Sequence, residues 1–331
     1  MPANSYEGSV DPDGEEKETE MDKELASDWP GSATKKCGRP VGCALPGRNR
    51  RNARMQIPVM TEELATRLER SEADFWTARL SSVRRHKDNP LGVEIRQFGE
   101  ATAFIVQALP QPMLNRVIGL TPGDEDLIED VLGWYRDHGV RCRVDITPFA
   151  HSQDLLACLA GRGLYPSGYQ TVLYGVPQAG AYSPAEGVIA KIERLDPADR
   201  DLFVDLRLRM SEVSEADRAF WKSITEAEYS DAGWRCYVAS VDGAPAGMGA
   251  LYVRDGVGSL AADGTLVTYR GRGCQTALLR ARIADAAAAG CELVAAQAEP
   301  GSVSQRNIER AGLRTAYTRA IWTERVRDDT R

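Results

Sequence analysis

The stretch Thr268-Tyr269-Arg270-Gly271-Arg272-Gly273-Cys274-Gln275-Thr276 is the part of this chain whose residue types and spacing point most directly to chemistry. Glycines let backbone N–H groups turn toward a ligand, and the Ala/Leu-rich run that follows predicts a helix whose start adds partial positive charge. Together they make a pyrophosphate cradle. Arg270 and Arg272 supply cationic character beside it. A surface turn or an RNA-contacting Arg-Gly-Arg patch would use the same letters, and the flanking strand and helix favour the phosphate reading. Cys274 sits at the predicted helix start, where thiol pKa values fall. That opens a covalent acyl-cysteine route, against which packing as a small hydrophobe is the stronger reading.

The elements that must position this loop are legible around it. Alternation over Val188, Ala190 and Ile192 predicts a strand, followed by helices over Asp196 to Met210 and Glu215 to Tyr229. Asp196 reads as an N-cap with Pro197 at the first helical position. Strands over Arg235 to Val241, Ala246 to Val253 and Gly258 to Val267 are joined at Asp242-Gly243 and Asp255-Gly256. These are strong hairpin signals, so an antiparallel meander is expected. Helix Gln275 to Ala289, strand Glu292 to Gln297, helix Ser302 to Ala311 and strand Thr315 to Trp322 complete the unit, with Gly290 and Gly312 as helix stops.

Upstream, the pattern predicts a helix over Glu63 to Arg84 and strands over Val93 to Gln97, Thr102 to Ala108 and Arg116 to Leu120. A helix from Asp124 stopped by Gly139, strand Arg141 to Ile146, helix Gln153 to Ala160 and strand Thr171 to Gly175 follow. The two halves repeat one order of elements at domain length. From strand end to helix-stopping glycine the spacing is 18 residues in the first half (Thr121 to Gly139) and 22 in the second (Thr268 to Gly290). The difference falls at the loop that carries the chemistry.

A length of 331 residues suits two cores. The expected division is a disordered tail over residues 1–54, a first domain over 60–176, a linker over 177–185 and a second domain over 186–325. The tail is rich in Gly, Pro, Ser and charge without a periodic apolar face. It runs from acidic to basic, and Met55 and Met60 just before good structure also fit a misassigned translation start. A basic run of this kind could touch nucleic acid, but the net charge of −7 disfavours that for the chain as a whole. No apolar stretch reaches membrane-spanning length and no secretory pattern opens the chain, so a cytoplasmic protein without a membrane partner is expected. Seven scattered cysteines with no CxxC pair, and three histidines, give no expectation of a metal or disulfide framework.

Residues 186 to 322 resemble a GNAT acetyltransferase domain. The family's cofactor motif, Gln or Arg, two residues, Gly, one residue, then Gly or Ala, is matched by Arg270-Gly271-Arg272-Gly273-Cys274, with Gln275 departing at the final small position. The order of elements and the Ser304-Gln305-Arg306-Asn307 segment leading to Gly312-Leu313 fit as well. The resemblance implies a mixed α/β (α+β) fold: two GNAT-like domains, each a mostly antiparallel mixed sheet flanked by helices, with a parallel strand pair that splays apart. It implies acetyl-CoA as acyl donor, no metal, and a pantetheine arm adding to the splayed edges. Asp263, Gly264 and Thr265 then lie on the first splayed strand, and Gln297, Ala298 and Glu299 at the end of the second. A backbone N–H near Thr265 would stabilise the oxyanion. Cofactor contacts are expected from Asp263, Gly264, Thr265, Arg270, Gly271, Arg272, Gly273, Cys274, Gln275, Thr276, Ser304 and Asn307, although Asn307 suits an ordinary surface role equally well.

Glu299 is the first candidate for the base that takes the amine proton and Asp263 the second; an ordinary solvated carboxylate is the competing reading for both. Many family members place a proton-donating tyrosine where this chain has Ile308, and Tyr317 and Tyr269 read better as packed aromatics. The first half has Thr121-Pro122-Gly123-Asp124-Glu125-Asp126 at the loop position, shorter, without arginines and acidic. It is expected to bind no CoA and to complete an acceptor cleft or support folding and a homodimer. The expected function is transfer of acetyl or a short acyl group to a primary amine of a small molecule, peptide or protein. The alternative is a CoA-binding sensor without turnover.

Overall fold

Asp242-Gly243 and Asp255-Gly256 set the register of the second half. All four residues take positive φ (52°, 80°, 47° and 74°), the conformation a two-residue hairpin turn needs. They join β7 (Trp234–Val241), β8 (Ala244–Arg254) and β9 (Val257–Thr265) into the expected antiparallel meander. The computed structural model describes residues 57–178, 190–211 and 213–325. The expected tail and most of the expected linker lie outside these residues.

The remaining elements of the second half are β6 (Lys191–Arg194), α4 (Asp201–Met210), α5 (Arg218–Glu228), α6 (Cys274–Ala288), β10 (Leu293–Ala298), α7 (Val303–Arg310) and β11 (Arg314–Glu324). The first half contains α1 (Glu62–Arg84), β1 (Val93–Phe98), β2 (Ala101–Val106), β3 (Arg116–Ile118), α2 (Ile128–Asp137), β4 (Arg143–Ile146), α3 (Gln153–Gly161) and β5 (Leu164–Gly175). Hydroxyl caps open three of the helices: Thr61, Ser152 and Ser302 accept from Leu64, Leu155 and Gln305 backbone N–H at 3.3, 3.0 and 3.1 Å. The N-cap expected at Asp196 is not made. That residue is extended and its side chain bonds no helix amide, and Pro197 instead opens a short 3₁₀ turn before α4.

The eleven strands of the described residues form one mixed sheet in the order β1-β2-β3-β4-β11-β5-β10-β9-β8-β7-β6. Two pairs are parallel, β3 with β4 and β9 with β10. Exchanging β1 to β5 with β7 to β11 leaves the order of these ten strands unchanged when it is read from the opposite end. Each half therefore sends its last strand across: β11 lies between β4 and β5, and β5 lies between β11 and β10. The cores follow the exchange. Trp322 of β11 packs with Ile128, Leu132 and Leu155 beneath α2 and α3, and Leu173 of β5 packs with Leu278, Leu279 and Ile308 beneath α6 and α7.

The expected units 60–176 and 186–325 thus share one sheet and exchange strands. The same pairing accounts for β5 starting at Leu164, seven residues before the strand expected from local pattern. Its early residues bond β11, with Leu164 opposite Glu324 and Tyr169 opposite Ala320. A third core gathers Phe75 and Trp76 of α1 with Phe203, Trp234 and Tyr252 of the second half.

Candidate functional site

β9 and β10 run in register only from Val257 to Ser259 against Leu293 to Ala295, and beyond that they part. A bulge accompanies the parting. Met248 faces Gly264 and Ala250 faces Ala261, so Ala262 and Asp263 oppose Gly249 alone, with Ala262 at φ 54°. Such an insertion bends one strand away from its neighbour. On its other side β10 stays bonded to β5, through Ala296, Gln297 and Ala298 opposite Leu173, Val172 and Thr171. One backbone edge of β10 therefore faces the opening. Leu266 N–H donates to Ala246 O at 2.9 Å on the β8 side. Amides alternate along an extended strand, so the Thr265 N–H points to the opposite side, into the opening.

The bulge is held from beneath by Arg282. This guanidinium is fully buried and donates to the carbonyls of Leu278, Ala250 and Ala261 and to both carboxylate oxygens of Asp263. A Cβ on Gly249 would come within 2.8 Å of the Arg282 guanidinium carbon, so glycine there leaves the arginine its path. Asp263, a candidate base in the sequence, is thus engaged as the counterion of a buried cation. Met210, at the end of α4, covers Gly264, whose missing Cβ would meet the methionine sulfur. Sequence reading singled out neither Arg282 nor Met210. The available signal was an arginine at helical spacing among Leu278, Leu279 and Ala286, on a face that is otherwise apolar.

The Gly-rich loop leads from a 3₁₀ turn over Val267–Tyr269 into α6. Gly271 and Gly273 take φ of 77° and 80°, and Gly273 is the N-cap, so no side chain caps the first amides of α6. Uncapped amides at the start of a fifteen-residue helix suit an anion. Arg270 is exposed; Arg272 is exposed too, 3.5 Å from Asp242 and above the Tyr269 ring. Asn307 Nδ2 donates to Gln275 Oε1 at 2.7 Å, tying α7 to the first turn of α6, and Ser304 and Thr276 are half-buried nearby in sequence. Cys274 turns inward to the core at 2% exposure, and burial pushes its thiol up despite Arg272. That direction disfavours an acyl-cysteine route, and the packing role is the one the structure supports.

Glu299 follows directly on β10 and is exposed, while its carbonyl accepts from Ser302 N–H at 3.1 Å. Ile308 is buried in the core beneath α6. Tyr317 lies two strands from β10, opposite Val172, which in turn lies opposite Gln297. It is 5% exposed, its hydroxyl has no partner among the described residues, and burial pushes its pKa far up.

The corresponding loop of the first half is closed by its own carboxylates. Thr121 N–H and Oγ1 donate to Asp124 at 2.8 and 2.9 Å, and Gly123 N–H donates to Glu125 at 2.9 Å. Two amides of this loop, those of Thr121 and Gly123, are thus already bonded to acids.

The splay, the bulge and the uncapped glycine loop all fall inside residues 201–312, which match the model of the acetyltransferase (GNAT) family. This segment is a GNAT domain. Solved structures extend the likeness over both halves. A GCN5-related N-acetyltransferase from Kribbella flavida is similar at TM-score 0.55 and 15% identity, over 76% of this chain and 95% of that one. Another from Sphaerobacter thermophilus gives 0.52 and 17%, over 81% and 94%. A tandem GNAT protein from the clavulanic acid biosynthesis pathway gives 0.51 and 15%, over 80% and 97%. At these identities the likeness is one of fold. No curated protein matches the chain at a significant level. Among the described residues, no helix is long and apolar enough to cross a membrane, and no group of three His, Cys, Asp or Glu could hold a metal ion.

Proposed function

We propose that the second half of this chain transfers acetyl, or another short acyl group, from acyl-CoA to a primary amine by direct attack. The observation that carries the reading is the pairing of an uncapped glycine loop at the start of α6 with an open backbone edge between β9 and β10. A pyrophosphate suits the amides after Gly273 with Arg270 and Arg272 beside them, and a pantetheine arm suits the open edge. The Thr265 N–H faces the place where thioester carbonyl charge would develop. The amine nitrogen forms the C–N bond as the C–S bond breaks. The amine proton leaves through Glu299 or water, and the thiolate, with a pKa near about 8.5 for a free thiol, departs without a tyrosine. The strand exchange and the likeness to a tandem GNAT protein support reading the first half as a second, degenerate copy without a CoA site. Cytoplasmic residence fits a CoA-dependent reaction.

The buried Ile308 and the remote, buried Tyr317 favour one second reading, a CoA-binding sensor without turnover. Release of free thiol from acetyl-CoA against a panel of amines separates the two. Amine-dependent release supports the transferase. Tight acetyl-CoA binding with no release against any amine supports the sensor.

A further inference from the structure

The first half keeps an opening where its own parallel pair parts. β3 and β4 pair through Arg116 with Arg143 and Val117 with Val144. Past these residues lies a cavity of about 490 Å³, lined by Ile118 and Gly119 at the end of β3, Thr147 and Phe149 after β4, and Thr66 and Glu69 of α1. By the order of strands this is the counterpart of the β9–β10 opening. That volume is in the range of small-molecule sites.

Glu69 is 7% exposed, and its Oε1 has no hydrogen-bond partner among the described residues. A buried carboxylate oxygen without a partner is costly, and a ligand that donates to it removes the cost. The remaining charge around the cavity sets the sign of that ligand. Glu62, Asp74 and Glu100 line it with Arg70 as the single cation among the described residues, and Arg70 lies 3.8 Å from Glu100. Asp74 is 4.0 Å from Arg254, whereas Glu62 and Glu69 have no ion-pair partner among the described residues. Phe149, 38% exposed, presents a ring, which attracts cations. Phosphate is disfavoured, because Thr121 and Gly123 N–H are already bonded to Asp124 and Glu125.

We propose that this cavity binds a small hydroxylated organic cation, a primary ammonium on a polyol frame, with the ammonium on Glu69 and hydroxyls toward Thr66 and Thr147. Burial raises the Glu69 pKa to about 7, with Arg319 of β11 lowering it, Glu72 of α1 and Asp145 of β4 raising it, and the polar Gly119 backbone nearby lowering it. Tyr317 of β11, whose hydroxyl has no partner among the described residues, lies near enough for the Glu69 charge to push its pKa further up. Binding should therefore strengthen as pH rises through 7, where Glu69 ionises and the ammonium is retained.

The test titrates the full chain by calorimetry with glucamine, its neutral counterpart sorbitol, and acetyl-CoA. One equivalent of glucamine is expected at pH 8, about tenfold weaker at pH 5.5, with sorbitol not binding and with saturating acetyl-CoA leaving glucamine affinity unchanged. Glu69→Gln should weaken glucamine about tenfold or more. Thr66→Trp, an exposed helix position at the cavity mouth, should do the same by filling it, so a folding defect in one variant does not decide the matter. Equal binding of sorbitol, loss of glucamine binding on saturation with acetyl-CoA, no glucamine binding at tens of millimolar, or unchanged affinity in both variants would overturn the proposal.

Discussion

Arg319 on the last strand grips Glu72 on the first helix, 247 residues away, with both guanidinium amines on the two carboxylate oxygens at 2.7 and 2.8 Å. Neither side chain is more than 3% exposed. Arg116 of β3 also donates to Glu72, at 2.7 Å, and to Asp145 of β4, at 3.0 Å, so the strand delivered by the second half is locked into the sheet of the first by a buried charge network. Burial opposes ionisation of Glu72, yet Arg319 and Arg116 hold its pKa down at about 2.

Breaking this network from one side leaves a buried charge without its partner. Arg319→Met should therefore destabilise the chain by about 3 to 5 kcal/mol, read as a shift in urea midpoint without loss of a single transition. A loss below about 1 kcal/mol, the scale of a surface pair, would show that β11 is not locked in this way.

Glu69 and Glu72, one helical turn apart, predict opposite pH slopes. The Glu72 carboxyl is depressed in the fold, so its contribution is present above its ordinary value of 4.5 and lost as pH falls toward about 2. The Glu69 carboxyl is raised, so its contribution is present below 4.5 and lost as pH rises to about 7. Glu69→Gln should accordingly be more stable than the parent at pH 8, by up to about 3 kcal/mol, and close to it at pH 4.5. Urea titrations at the two pH values check the difference; an equal effect at both would contradict the raised pKa.

Asp263→Asn separates a structural from a proton-transfer role. With Asp263 acting as counterion to Arg282, the change should lower thermal stability and weaken acetyl-CoA binding by loosening the bulge. The residual activity should keep the parent pH profile. Loss of a pH-rate limb would return Asp263 to the chemistry.

Glu299→Gln should lower turnover on the order of a hundredfold with acetyl-CoA affinity little changed, if Glu299 takes the amine proton. Tyr317→Phe should stay within about threefold, since its hydroxyl is buried two strands from β10. Steady-state kinetics across pH decide both. Turnover of Glu299→Gln within about threefold of the parent would pass the proton to water.

Local signals carried much of this structure. The Asp-Gly pairs announced the hairpins, Gly271 and Gly273 announced the loop, and the apolar periods placed the helices within a few residues. What stayed hidden is long-range. Nothing local to Leu164 or Thr315 says that β5 and β11 bond each other and cross between halves. Glu72 and Arg319 lie 247 residues apart, and only the strand exchange brings them together and buries them. Arg282 was a visible exception on an apolar helix face, but its target, the bulge at Ala261 to Asp263, exists only once β8 and β9 are paired.

We propose that one cofactor loop, at Arg270 to Thr276, serves the whole chain. Calorimetric titration of acetyl-CoA tests it most directly, on the parent, on Gly273→Glu, and on Arg270→Glu/Arg272→Glu, which reverses both loop charges without touching a positive-φ glycine. The parent should bind one equivalent and neither variant a measurable amount, with circular dichroism unchanged. Two equivalents in the parent, or unaltered affinity in both folded variants, would contradict it.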